Sequence, residues 1–269
     1  MIPRAHITAW RSRAPWPSDA QVEQDLILSR ALVELFNRPD LAAGFVFRGG
    51  TALHKLFVSP AGRYSEDIDL VQAEAGPIGP LLDQVREALD PWLGEPRWKQ
   101  GRGRVTVVYR FDTTFEPIVR MRLKVEINTR EHFNVQAIER RLFSVESPWF
   151  HGTTVLPVYH IDELLGTKLR ALYQRKKGRD LYDLWLMLQS GDVDPQQIVS
   201  CFKQYMDHEN LSVSRAEFEA NLAGKLRDNT FLEDLQLLLP AGIEYDPRVA
   251  VAAVQEELIA KLPESARIP

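Results

Sequence analysis

A single cysteine, Cys201, stands among the 269 residues, so no internal disulfide can form and the fold is expected to hold in a reducing compartment. A buried structural thiol is its expected role. Long apolar runs are missing too: no stretch nears the ~20 residues that a membrane-spanning helix needs, and no basic N-terminal segment leads into one. The chain therefore reads as soluble and cytoplasmic, with no membrane partner. A large excess of either charge is lacking as well, with 33 Lys and Arg against 37 Asp and Glu. A formal net charge of −4 excludes a uniformly basic nucleic-acid coat, although a local basic patch stays open. The six histidines lack metal-ligand spacing, and no Ser/His/Asp or Cys/His set is formed, which argues against hydrolysis through a nucleophilic side chain. Internal repeats and low-complexity segments are absent, and an apolar fraction of 45% supplies an ordinary core for one large domain or two modest ones.

What is present divides unevenly. The opening "RAPWPSDA" reads as an irregular arm, after which Ser18 or Asp19 is placed to cap a helix. From Gln21 to Asn37, Leu26, Ile27, Leu32, Leu35 and Phe36 recur at helical spacing until "NRPD" stops the run. "FVF", then Gly49 and Gly50, then a periodic segment from Thr51 to Phe57, predicts strand, tight turn and helix, with "DIDLV" as the next strand. Residues 80 to 93 read as helix. "RVTVVYRF" and "IVRMRLKVEIN" alternate as adjacent antiparallel strands. In the second, Val119, Met121, Leu123, Val125 and Ile127 share one face, leaving Arg120, Arg122, Lys124, Glu126 and Asn128 on the other. Beyond "VLPVYHIDELL" the periodic segments are helical, at about 161 to 176, 180 to 189, 195 to 206, 215 to 238 and 248 to 261. The expected class is α/β (α+β): a small mixed-sheet domain over residues 1–158 and a helical domain over 159–269.

Strand alternation points Asp67 and Asp69 the same way, with Ile68 and Leu70 facing the core. Two carboxylates on one face repel, so a positive charge is expected between them. A divalent cation with hard oxygen ligands would serve, and Glu126, on the polar face of another strand, offers a third ligand. An isolated D-x-D more often marks a solvated edge, and haloacid-dehalogenase-like phosphatases and sugar-nucleotide transferases also use it. Those chemistries place it in a parallel doubly wound sheet or after a nucleotide-binding half, whereas here a helix, a strand and "RGGTALHK" precede it. Gly49 and Gly50 let a backbone approach a ligand, the free N–H groups opening the next helix favour phosphate, and Thr51 adds a hydroxyl. Glycines for a triphosphate followed by carboxylates for metals is a nucleotidyltransferase arrangement.

In order, "FRGGTALHKL", "RYSEDIDL", "LKVEINTRE" and "ELLGTKLRALYQRKKGRDLYDLW", after the leader "QVEQDLILSRALVELFNRPDLAAG", cover about residues 20 to 190. This combination resembles the AbiEii/AbiGii-type toxins of bacterial abortive-infection and toxin–antitoxin systems, within the polymerase-β-like nucleotidyltransferase superfamily. The resemblance implies transfer of a nucleoside monophosphate from an NTP, dependent on Mg²⁺ or Mn²⁺. Asp67 and Asp69 would be metal ligands, with Lys168 and an aspartate of "RDLYDL", Asp180 or Asp183, completing the site. It further implies a tRNA 3′ end, or another RNA, as acceptor and a cognate antitoxin encoded nearby; a monomer is expected.

Some of these residues can also be read without the family. On a helix, Lys168 falls in the middle of the stripe Ile161, Leu164, Leu165, Leu169 and Leu172, where an ammonium either snorkels to an edge or serves a triphosphate. Asp180 and Asp183 open a helix after Gly178, where an N-cap and a first-turn acid would be unremarked. Arg170, Arg175, Lys176, Lys177 and Arg179 form a basic run suited to a solvated helix end or an RNA backbone. Arg63, Lys124 and Arg130 are further candidates for phosphate contact. Ser65, two residues before Asp67, is placed to face the same pocket, so a negative charge added there would oppose the NTP.

The expected arrangement has the nucleotide in a cleft that the helical domain closes with Lys168. Two other functions stay open on sequence alone: an antibiotic-type transferase acting on a small molecule, and a non-catalytic nucleotide-binding regulator.

Overall fold

The computed structural model describes residues 2–265, which fall into two compact units. One comprises residues 2–159 with Leu239–Ala241, the other His160–Leu238 with residues 242–265.

In the first unit, α1 (Arg4–Trp10) precedes α2 (Asp19–Phe36). Ser18 starts α2 with a reciprocal cap: its hydroxyl accepts from the Gln21 N–H while the Gln21 side chain accepts from the Ser18 N–H. Asn37 ends the helix, as "NRPD" predicts. The face of α2 that the apolar period marks is buried, but so are Glu23, Gln24, Asp25 and Ser29. Each of the two acids has its donors. The Trp10 and Trp16 indoles donate to Asp25 at 2.8 and 3.0 Å and the Lys55 ammonium lies 2.7 Å away, while Glu23 accepts from the backbone and hydroxyl of Thr114. These bonds tie the irregular N-terminal arm to the core, and breaking a buried pair such as Lys55–Asp25 costs about 3–5 kcal/mol.

Next come α3 (Pro39–Gly44), β1 (Phe45–Arg48), α4 (Gly49–Leu56), β2 (Asp67–Gln72), α5 (Gly79–Leu93), β3 (Arg97–Gly101), β4 (Arg104–Asp112), β5 (Arg120–Asn128), β6 (Glu139–Glu146) and β7 (His151–Val158). The strands form one mixed sheet in the order β3-β4-β5-β2-β1-β7-β6, with β2–β5 and β1–β7 parallel and the other pairs antiparallel. β4 and β5 are antiparallel neighbours, as their alternation predicts. Leu123, Val125 and Ile127 are fully buried, and Tyr109, opposite Leu123, donates to Asp90 of α5. Val119 departs from this face: it precedes β5 and is 43% exposed. α2 and α5 pack on the sheet, and alternation leaves Asp67, Asp69, Lys124 and Glu126 on the face opposite Ile68, Leu70, Val125 and Ile127.

The second unit is helical: α6 (Ile161–Gln174), α7 (Gly178–Ser190), α8 (Pro195–His208), α9 (Arg215–Lys225), α10 (Asn229–Leu232) and α11 (Pro247–Glu257), with a 3₁₀ turn at Ile259–Lys261. The single helix expected over 215 to 238 is broken. Asp228 caps a new four-residue helix through the Thr230 N–H, and turns follow it. α6 and α8 meet at Gly166, where a Cβ would lie 2.6 Å from that of Cys201, whose thiol is fully buried. Lys225 is also buried and donates to the last carbonyls of α6, at Leu172 and Tyr173; burial brings its ammonium down to about 8.

Candidate active site

The first unit builds its site where β1 turns into α4. Gly49 has φ of +82°, a backbone that side chains rarely adopt, and a Cβ there would lie 2.2 Å from Oδ2 of Asp69. Glycine is thus required twice, for the turn and for the approach of a carboxylate. At Gly50 a Cβ would lie 2.5 Å from Nη2 of Arg63 and 3.2 Å from the Ser65 hydroxyl. Thr51 is buried; its hydroxyl donates to the Asp67 carbonyl oxygen and lies 2.8 Å from that of Ser65. Gly49, Gly50, Thr51, Arg63 and Ser65 therefore lie together with the Asp67–Asp69 strand.

The sheet register extends this group. Asp69 pairs with Arg48 on one side and Glu126 on the other, and Asp67 pairs with Lys124. Lys124 puts an ammonium among the acids, its Nζ 2.9 Å from Asp67 and 3.2 Å from Glu126, a pairing other than the Asp67–Asp69 one from which a positive charge is expected. Burial pushes Asp67 up to about 6, Asp69 and Glu66 add to the rise, and Lys124 only partly offsets it. Lys124 itself is raised: burial works against its charge, but Asp67 and Glu126 outweigh burial. Arg48 and Glu131, paired at 2.7 Å, flank the strand ends. Among the described residues no three ligating side chains already close around one point. The donor set is nonetheless all carboxylate oxygen, and the ammonium bridging two of the acids shows that a cation is accommodated there.

In the second unit Lys168 does not snorkel: it is 5% exposed, with Nζ 2.9 Å from Asp183 and 3.4 Å from Asp180, both fully buried. Asp180 is not an N-cap. It is the third residue of α7, and its two oxygens accept from Arg175 at 2.7 and 2.8 Å. Burial alone would raise Asp180, but Lys168 and Arg175 hold it below the ordinary carboxylate range. Asp183 is the nearer partner of Lys168.

The basic run departs from an open phosphate-binding surface, because each member meets an acid. Arg170 reaches Glu209 at 3.4 Å, Arg175 reaches Asp180, Lys176 reaches Asp228 at 3.1 Å, and Lys177 and Arg179 reach Asp234 at 3.4 and 3.8 Å. Acids spread from residue 180 to 234 neutralise it, which local charge counting does not reveal. Sequence reasoning also passed over Arg48 and Glu131 and took Lys124 for a phosphate contact. The alternation that put Lys124 beside Glu126 was the available signal for its actual place.

Residues 30–254 match the model of the nucleotidyl transferase AbiEii toxin family, described as belonging to type IV toxin–antitoxin systems. The fold is similar to MenT4, a nucleotidyltransferase toxin of Mycobacterium tuberculosis, at 20% identity and a TM-score of 0.59 over 98% of this chain and 100% of that one. It is also similar to an H. pylori protein classed with the nucleotidyltransferases, at 21% identity and a TM-score of 0.57 over 91% of this chain and 96% of that one. No curated protein matches the chain in sequence. With the family model spanning most of its length, the chain belongs to the AbiEii family of nucleotidyl transferase toxins.

Proposed function

We propose that this protein transfers a nucleoside monophosphate from an NTP to the 3′ hydroxyl of tRNA in a Mg²⁺-dependent reaction, and that a cognate antitoxin silences it. The observation that supports the reading is the close approach of the Gly49 backbone to the Asp69 carboxylate, which joins the glycine turn to the acidic strand. Asp67, Asp69 and Glu126 would hold the metal, Mn²⁺ serving in place of Mg²⁺. When bound, divalent ions activate an attacking hydroxyl and stabilise the leaving pyrophosphate oxygens. The chain's own groups do the rest. The N–H groups opening α4 face the triphosphate and Ser65 orients it, Thr51 holds the turn against β2 through the Asp67 carbonyl, and the buried Arg63 guanidinium beneath Gly50 balances the charge. Lys124 balances the charge of Asp67 and Glu126. Lys168, with Asp180 and Asp183, is proposed as a second functional set within the helical unit, where the two carboxylates hold the buried ammonium.

The test is incubation with each α-labelled NTP, Mg²⁺ and either tRNA or an aminoglycoside. Label on tRNA is the expected result. Label on the aminoglycoside alone makes the protein a small-molecule transferase, and no turnover with any acceptor overturns the reading in favour of a non-catalytic regulator.

A further inference from the structure

We infer that the outer part of the sheet, the β3–β4–β5 face continuous with Asp67 and Asp69, is the track along which the phosphodiester backbone of a nucleic-acid acceptor lies. Register places the residues. Reading outward from β2, Asp67, Lys124, Val108 and Arg97 form one row across four strands, and Asp69, Glu126, Thr106 and Lys99 form the next. Beside these rows Arg110 lies directly opposite Arg122. All share the face that carries the carboxylates.

Arg97, Lys99, Arg110 and Arg122 are exposed, and none of the four side chains has an ion pair or hydrogen bond among the described residues. Arg104 and Arg120 lie on the same face but have acid partners, Glu126 at 3.9 Å and Asp112 at 3.3 Å. In a chain of net charge −4 this is unexpected, since the basic run of the second unit finds an acid for every member. Like charges directly opposite in an antiparallel pair also cost stability, so the Arg110–Arg122 pair is a liability unless an anion covers it. With strands ~4.8 Å apart, Arg97 lies roughly 14 Å from the Asp67 position and Arg122 much closer. A strand whose terminal hydroxyl sits at the carboxylates would thus lay its last few phosphates over these cations. The acidic end repels phosphate while the outer part attracts it, so the charge pattern also orients the strand.

The inference rests on the proposed function only for the acceptor's identity, and its test needs neither NTP nor metal. Fluorescence anisotropy with a labelled single-stranded RNA, in EDTA and over 50 to 200 mM salt, compares the wild-type protein with Arg110→Gln/Arg122→Gln. Losing two phosphate contacts is expected to weaken binding by about tenfold or more at the low-salt end and to flatten the log–log salt dependence by ~1.4. The double variant should be at least as heat-stable as wild type, so misfolding cannot mimic the loss. Lys176→Gln/Lys177→Gln should bind as wild type. Unchanged binding by the Arg110/Arg122 variant, loss in the Lys176/Lys177 variant instead, or equal competition by polyglutamate each overturns the assignment. Failure of nucleotidyl transfer leaves this binding result standing, and loss of the binding result leaves transfer to a small acceptor open.

Discussion

Replacing Asp67 with Asn should stabilise the metal-free protein while removing its activity. Burial lifts the Asp67 carboxyl from 3.8 to about 6. Each unit is worth 1.36 kcal/mol, so the ionised form in the folded chain carries a penalty of ~3 kcal/mol relative to the unfolded chain. The side chain keeps 27% of its exposure, and solvent screening reduces the expected effect to about 1–3 kcal/mol. The sign follows from proton counts. Between pH 4 and 6 the folded state holds a proton that the unfolded state has lost, so wild-type stability falls across that window and stays lowered above it. Asn has no such transition, and Lys124 keeps Glu126 as a partner at 3.2 Å. Urea melts of both proteins in EDTA from pH 4 to 8 isolate the difference, since the other carboxylates cancel. The gap should be near zero at pH 4 and reach about 1–3 kcal/mol in favour of Asn by pH 7.5. An Asn variant less stable than wild type at pH 7.5, or a gap that does not change with pH, would refute the reasoning.

Other substitutions probe the rest of the framework. Gly49→Ala forces a Cβ into the +82° backbone and against Asp69; it should cost at least ~1–2 kcal/mol in a urea melt and displace the carboxylate enough to abolish transfer. Asp180→Ala leaves Lys168 with Asp183 alone and removes both acceptors of Arg175, so a loss of about 3–5 kcal/mol is expected; a melt within about 0.5 kcal/mol of wild type, the ordinary surface range, would count against the buried network. Ser65→Glu places a carboxylate beside Thr51 and the Gly50 turn; NTP binding measured by calorimetry should be lost, and wild-type affinity would show that the turn does not face the triphosphate.

The legible parts of this fold were those where one face is buried. α2 announced itself through Leu26, Leu32 and Phe36, and β5 through Leu123, Val125 and Ile127, because burial selects apolar residues at the period of the element. The edge strand β3, "RWKQG", is exposed along its whole length and so carries no alternation to read. β6 and β7, with Leu142 and Val155 left exposed, are nearly as opaque. In the site, alternation alone placed Asp67, Asp69 and Glu126 on one face, and the parallel register of β2 with β5 brings them side by side. That an ammonium bridges Asp67 and Glu126, and that acids up to 57 residues away consume the 170–179 cations, depends on tertiary pairing that no local pattern encodes.

If the carboxylates of β2 carry the transfer, neutralising Asp69 abolishes it. The direct measurement is the rate of label transfer from α-labelled NTP to tRNA by Asp69→Asn, beside wild type, with and without EDTA, after melts show the variant folded. Background label in the variant and in wild type with EDTA, against robust transfer by wild type in Mg²⁺, is the predicted result. A folded Asp69→Asn protein that transfers at the wild-type rate would contradict it.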